Sequence, residues 1–249
     1  MSKYELSYTS PCLNAAGFLG FAPDRRGPID LTKLGVFITN PVSWRARPPA
    51  HGRRCLAFPG GFLLHTGHPN PGLSQVIRRH AARWGRSPLP VLVHLLAENP
   101  AEVSDMVNRL ETVEGVMGIE VGIPPGCDCQ TALALARAAV GELPVIVHLP
   151  FETAAEFTPT FASLPVAAIS LGAPRGALPE PQGSLVHGRL YGPAVFPLAL
   201  ATIQSMVKSG VPVIAAGGVY SPQDAEAMLA AGAMGVQLDA VLWRGDGNL

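Results

Sequence analysis

The sequence predicts an α/β fold in which eight parallel strands close into a (β/α)8 TIM barrel, with residues 1–249 forming a single domain. Three observations carry that expectation. Short, continuous apolar segments recur along the whole chain, as strands buried on both faces require. Amphipathic segments separate them, which is the alternation that builds a parallel sheet. The length, 249 residues, is also ordinary for one such barrel. An open doubly wound sheet is the alternative, and it would normally show fewer strands.

The first strand is read at Cys12-Leu13-Asn14-Ala15-Ala16 ahead of Gly17, and the second at Gly35 to Thr39. A helix follows over 73–84, then a strand from Pro90 to Leu95. In Pro100 to Thr112, Val103, Met106, Val107 and Leu110 fall on one helical face. Val116 to Val121 and Pro144 to Leu149 read as strands, with a helix over 128–140 between them and a weaker one over about 152–162. Val166 to Leu171 and Pro212 to Ala216 flank a helix over 194–209. Ser221-Pro222-Gln223-Asp224 opens the last helix with an N-cap, a proline in the first turn and an acid three residues on; Gly232 closes it. Gly235 to Leu238 makes the eighth strand. The 27 glycines and 25 prolines are spread between these segments rather than gathered in a linker. Two stretches, Asn40 to Pro71 and Leu171 to Pro197, are too long for ordinary connections and are expected to carry function.

Composition excludes several classes. Hydrophobic residues are 48% and charged residues 14%, well under the roughly 25% charged of an average domain, so the chain is not disordered. Eighteen basic and eighteen acidic residues cancel, without a basic stripe to displace counterions from a nucleic acid. No apolar run approaches the roughly 20 residues that span a bilayer, and the first ten residues lack a signal peptide's pattern. Four cysteines make no disulfide scaffold. A soluble, cytoplasmic protein with a small-molecule substrate is expected. The low charge fraction makes a homodimer the expected assembly.

In a barrel of this kind the chemistry sits at the carboxyl ends of the strands. Ala215-Ala216-Gly217-Gly218-Val219 puts two glycines at such an exit, where bare N–H groups can close on an anion. Gly188-Arg189-Leu190-Tyr191-Gly192-Pro193 leads into a helix N-terminus, which favours the same charge. Tight turns alone would also account for these glycines. The motifs resemble the dihydroorotate dehydrogenase family of FMN-containing barrels. Leu13-Asn14-Ala15-Ala16-Gly17 resembles its first-strand Asn-Ala-Ser-Gly, and Leu34 to Asn40 its second strand. Gly67, Asn70, Pro71, Gly72 and Leu73 resemble the segment after its substrate loop. Leu190-Tyr191-Gly192-Pro193-Ala194 resembles its Leu-Ser-Gly-Pro-Ala, and Gly217-Gly218-Val219, Asp224-Ala225 and Ala231-Gly232-Ala233 its final third.

That resemblance implies an FMN-dependent oxidoreductase of pyrimidine biosynthesis, passing a hydride between a small acidic or cyclic substrate and the flavin. It implies that Gly192, Gly217 and Gly218 offer N–H groups to the FMN phosphate, and that Ala15, Ala16 and Gly17 underlie the ring. His148 would lie at the ring's pyrimidine edge, and Asn40 and His94 beside flavin or substrate. His65, Gly67 and Asn70 would contact substrate. The departures are specific. Thr39-Asn40 replaces the family's Thr-Lys, His148 replaces its fifth-strand lysine, and Leu64-His65 replaces the Asn-Ser of its substrate loop. Gly122 stands at its fourth-strand asparagine, and Pro125 at its cysteine, where proline accepts no proton. Asp239-Ala240 replaces Gly-Thr after the last strand; an acid there repels phosphate, and a rim closed by Asp239 or Trp243 would leave a nucleotide no room.

His94 and His148 are candidate acids or bases, with satisfied core histidines as the alternative. His65 and His68 sit in the long loop and either enter the mouth or lie in solvent. Cys127, in Cys127-Asp128-Cys129, is the candidate substitute base if a helix N-terminus lowers its pKa; a buried inert thiol is the alternative. Without a second close pair, that motif predicts no metal site. Arg45, Arg47, Arg53 and Arg54 could close over an anionic substrate or remain solvated. Glu120, charged inside an apolar strand, calls for a lysine or arginine partner near the barrel bottom. The loss of both lysines and the base keeps alternatives open: a flavin-free barrel acting as a binding or regulatory protein, or a lyase or isomerase using a histidine.

Overall fold

A computed structural model of the chain describes residues 6, 8–27, 29–96, 98–180 and 183–244. In chain order the strands and helices are β1 (Cys12–Asn14), β2 (Phe37–Ile38), β3 (Cys55–Phe58), β4 (Gly61–Leu64), α1 (Leu73–Trp84), β5 (Val91–Leu96), α2 (Pro100–Glu111), β6 (Val116–Gly122), α3 (Cys129–Ala139), β7 (Val145–Leu149), α4 (Phe151–Phe157), β8 (Ala168–Leu171), β9 (Arg175–Pro179), β10 (Leu185–Tyr191), α5 (Phe196–Met206), β11 (Val213–Ala216), α6 (Pro222–Ala230) and β12 (Gly235–Leu238).

Eight of these strands form one parallel sheet in the order β1-β12-β11-β8-β7-β6-β5-β2, and they are the eight read from the sequence. Each is an apolar run because one face packs inside the barrel and the other against helices. Inside, Leu13, Val36, Ile38, Leu92, Ile146, Ala168 and Ile214 form a separate buried cluster. Outside, residues such as Trp84 of α1 and Leu110 of α2 are buried against the strands.

The ring closes between its two shortest members. Leu13 bridges Val36, and Gly35 donates its N–H to the Cys12 carbonyl at 2.8 Å. The buried Asn14 side chain completes the seam: its Nδ2 donates to the Ile38 carbonyl at 2.6 Å and its Oδ1 accepts the Ile38 N–H at 2.9 Å. One amide thus supplies the donor and acceptor that a longer β2 would have provided. The helix expected over about 152–162 is α4 continued by a 3-10 turn over Thr158–Ser163, where Pro159 has no N–H to extend the α pattern.

The two long stretches are not irregular. Each folds into a hairpin, β3–β4 and β9–β10, and β4 pairs β10 antiparallel through Phe62–Tyr191, Leu63–Leu190 and Leu64–Arg189. The result is a four-stranded sheet, β3-β4-β10-β9, which brings β4 and β10 to the strands' carboxyl ends. Among the described residues no helix is long and apolar enough to cross a membrane.

Candidate active site

A cavity of about 430 Å³ lies between the barrel mouth and this sheet, within the range of small-molecule sites. Its wall includes the small residues Ala15, Ala16, Ala216 and Gly217; its base includes His94, His148 and Gln237; its roof includes His68, Arg189 and Tyr191.

Beneath it, Glu120 of β6 is fully buried. Register places Glu120 beside His94 of β5, and His148 of β7 beside Ser170 of β8. His94 Nδ1 is 2.6 Å from Glu120 Oε2. Ser170 Oγ donates to Glu120 Oε1 at 2.9 Å, and Gln237 Nε2 of β12 donates to the same oxygen at 2.5 Å. Side chains from three other strands therefore converge on one carboxylate. Burial pushes its pKa up, but the hydrogen bond and charge of His94, with His148 and Gln237, outweigh burial and hold it below the carboxylate range. The expectation of a lysine or arginine partner at the barrel bottom is overturned; histidine, serine and glutamine at the mouth take that place.

The network fixes tautomers. The single hydroxyl hydrogen of Ser170 goes to Glu120, so at His148 Nδ1, 3.0 Å away, the serine oxygen can only accept. His148 is then an Nδ1–H tautomer with an Nε2 lone pair, on a side chain that keeps 23% of its surface open. Burial first, opposed by Glu120 and assisted by His94 and Arg189, lowers its pKa to about 4. His148 is neutral at pH 7. It cannot supply the positive charge expected of it in place of a lysine; it offers a neutral acceptor. His94 likewise gives Nδ1–H to Glu120, leaving Nε2 toward Gly122, whose added Cβ would lie 2.6 Å away. A side chain at Gly122 would collide with the His94 ring where it now lies. A histidine held by a buried carboxylate, with its far nitrogen at a cavity, is the orientation that acid–base chemistry needs.

The sequence candidates divide. Ala15, Ala16, His94, His148 and Gly217 line the cavity. Gly17, Asn40, His65, Gly67, Asn70, Cys127, Gly192 and Gly218 do not. Asn40 is tied to Gly20 by its N–H and its Oδ1. Gly17 turns the chain after β1 with φ 99°. His65 ends the β4 hairpin, donating its N–H to the Arg54 carbonyl at 2.7 Å, and Gly67 packs against Ala50. Asn70 is buried and shapes the loop, bonding Ser43, Gly72 and the His68 carbonyl. Cys127 is not activated: burial, then Asp128, pushes its thiol pKa up. Gly192 is no open cradle, since a Cβ there would lie 2.4 Å from the Gly60 carbonyl oxygen of the opposite hairpin. Sequence reasoning missed Ser170 and Gln237, although polar residues inside strands buried on both faces were a signal that they needed partners.

The relatives of the chain agree with this architecture. The model of the dihydroorotate dehydrogenase family matches residues 178–247. The catalytic subunit of dihydroorotate dehydrogenase B (NAD(+)) of Maridesulfovibrio salexigens is 30% identical over 255 residues, covering 94% of this chain and 84% of that protein. The proteins of the same description from Pelobacter propionicus and Desulforudis audaxviator are each 27% identical, covering 94% and 93% of this chain and 84% and 82% of their own. The chain belongs to the dihydroorotate dehydrogenase family. Family members are FMN flavoproteins, and the two ends of the cavity answer differently to that cofactor.

The ring end fits: Ala15, Ala16 and Gly217 leave a wall without protruding side chains. At the tail end the anion site is already filled. The Asp239 carboxylate is buried and accepts the Ala240 N–H at 2.5 Å, and the N–H groups of Gly218 and Val241 also act on it. Main-chain donors of Gly218, Ala240 and Val241 form a nest here, and the chain's own carboxylate occupies it. Trp243 closes the adjacent side, its ring tilted against Phe18 with centroids 4.8 Å apart and its Nε1 donating to the Phe18 carbonyl. A phosphate can take those N–H groups only if the Asp239 side chain leaves.

Proposed function

We propose that this family member is an FMN-dependent oxidoreductase that passes a hydride between flavin and a small acidic or cyclic substrate, the whole chain acting as one barrel domain. The observation that carries the reading is the Glu120–His94 pair at the base of a ring-sized cavity at the carboxyl ends of the barrel strands, where (β/α)8 enzymes carry their chemistry. Bound FMN would supply the hydride acceptor or donor, a chemistry no side chain here provides. His94 moves the substrate proton at Nε2 in place of the cysteine or serine that Pro125 displaces. Glu120 orients His94 by accepting its Nδ1–H. His148 Nε2 accepts a hydrogen bond from the ligand, and the roof excludes water.

The test is reconstitution with FMN, then turnover of dihydroorotate with an artificial electron acceptor. A flavin spectrum and acceptor reduction that drop about 10²–10⁴-fold in His94→Ala are expected. Absence of FMN uptake sinks this reading.

A second reading rests on Asp239 in the phosphate nest: a barrel that kept the fold and works without flavin, as a binding or regulatory protein or a histidine-dependent lyase or isomerase. It gains if Asp239→Gly binds FMN and the native chain does not.

A further inference from the structure

The roof of the cavity holds two polar side chains that the Glu120 network leaves out. Arg189, on β10, lines the cavity. Among the described residues its guanidinium has no carboxylate partner and no hydrogen-bond acceptor. The other arginine on the cavity, Arg47, is paired with Glu98 at 2.5 Å. The acid that acts on Arg189, Glu152, accepts the Arg175 N–H at 2.8 Å. Burial lowers the Arg189 pKa, but a guanidinium stays protonated at any physiological pH. The Arg189 side chain is half-buried, and a partly desolvated cation without a counter-ion is costly to the fold.

His68 is the second. It is the one non-glycine residue at positive φ (53°) among the described residues, a conformation that side chains seldom adopt. Asn70 holds it there by donating to its carbonyl at 3.1 Å. Its Nε2 is buried without a partner. Burial, then the charge of Arg189, lowers its pKa to about 2, so the ring is neutral and Nε2 can carry a hydrogen to donate. Two orphan groups on one cavity, one a charged fork and one a single neutral donor, match the two oxygens of a carboxylate.

We propose that Arg189 and His68 form an anion subsite that takes the carboxylate of a small substrate. The subsite rests on the proposed function only for the ring that would lie below it, and it deepens that reading by naming what the acidic end of the substrate meets. Strain at His68 and an unmet charge at Arg189 are then features of the empty site, relieved by the ligand.

The test compares orotate with uracil, the same ring without its carboxylate, by calorimetry on the full chain, with formate as a ring-free carboxylate. FMN against riboflavin reports whether a phosphate is the anion instead. The native chain should bind orotate at least tenfold more tightly than uracil. Arg189→Met should erase that difference, leave uracil unchanged and melt no lower than the native chain, because it removes an unpaired charge. Arg189→Lys should recover only part of the discrimination, since an ammonium cannot engage both oxygens. Equal affinity for orotate and uracil, no carboxylate binding at all, a lowered melting temperature in Arg189→Met, or a loss confined to FMN would each overturn the proposal. Discrimination retained without dihydroorotate turnover would leave the subsite standing and sink the redox reading.

Discussion

Glu120 and Asp239 are both buried carboxylates at the barrel mouth, yet their surroundings drive them in opposite directions. At Glu120 burial is outweighed by the hydrogen bond and charge of His94, with His148 and Gln237, and the pKa falls. At Asp239 burial dominates, main-chain N–H groups only soften it, and the pKa rises from 3.8 to about 6. The difference teaches that oriented amides hold an anion in place without neutralising it, whereas a partner that can carry charge does both. One carboxylate is built into the network below the cavity. The other occupies a seat suited to something else.

Breaking the first site should have the largest effect. Glu120→Ala leaves His94, Ser170 and Gln237 without their acceptor and should destabilise the protein by about 3–5 kcal/mol, read by denaturant unfolding. Glu120→Gln should recover part of that loss, since an amide oxygen still accepts from the same donors, read by the same unfolding measurement.

The second site should respond with the opposite sign. Since folding raises the Asp239 pKa, its contribution is fully present below about pH 4 and is lost as pH rises through about 6, amounting to about 3 kcal/mol across that window. Asp239→Asn should therefore gain stability over the native chain on passing from pH 4 to pH 7. A difference that is flat with pH would show that the carboxylate is not held as described. Glu120, with its pKa lowered, contributes above its unfolded pKa and loses that contribution only on acidification. Between them the two groups should give the native chain a stability maximum near pH 4, where both contributions overlap, and either substitution should skew it.

A smaller effect is expected at Gly122. A Cβ there meets His94 Nε2 at 2.6 Å, so Gly122→Ala should cost about 1–3 kcal/mol by overpacking and displace the histidine. A kcat loss larger than the stability loss accounts for would mark His94 placement as functional.

The barrel was legible because each strand is apolar on both faces and each helix has a face and caps that local sequence encodes. Val103, Met106, Val107 and Leu110 are buried as their spacing predicts, and Ser221 forms its capping box with Asp224. The sheet over the mouth was not legible. Its strands are interrupted by residues such as Gly188 and stabilised by pairing between hairpins remote in sequence. The base of the site failed for the same reason. Glu120 meets His94, Ser170 and Gln237 across 26, 50 and 117 positions, so its charge was visible but its partners were not. Asp239 was legible as an acid near a phosphate position. That it would turn inward onto the N–H groups depended on the chain reversing just after β12, at residues 239 and 240.

The β4–β10 pairing also sets an order of events. Four barrel strands, β5 to β8, intervene between its halves, so closing it carries a large loop entropy that formation of those strands must first reduce. During synthesis the part of the lower tier that β5 to β8 carry, with His94, Glu120, His148 and Ser170, can assemble while it is still bare to water, ahead of Gln237 on β12. Only when the later hairpin emerges and docks does the chamber gain its ceiling, and with it Arg189.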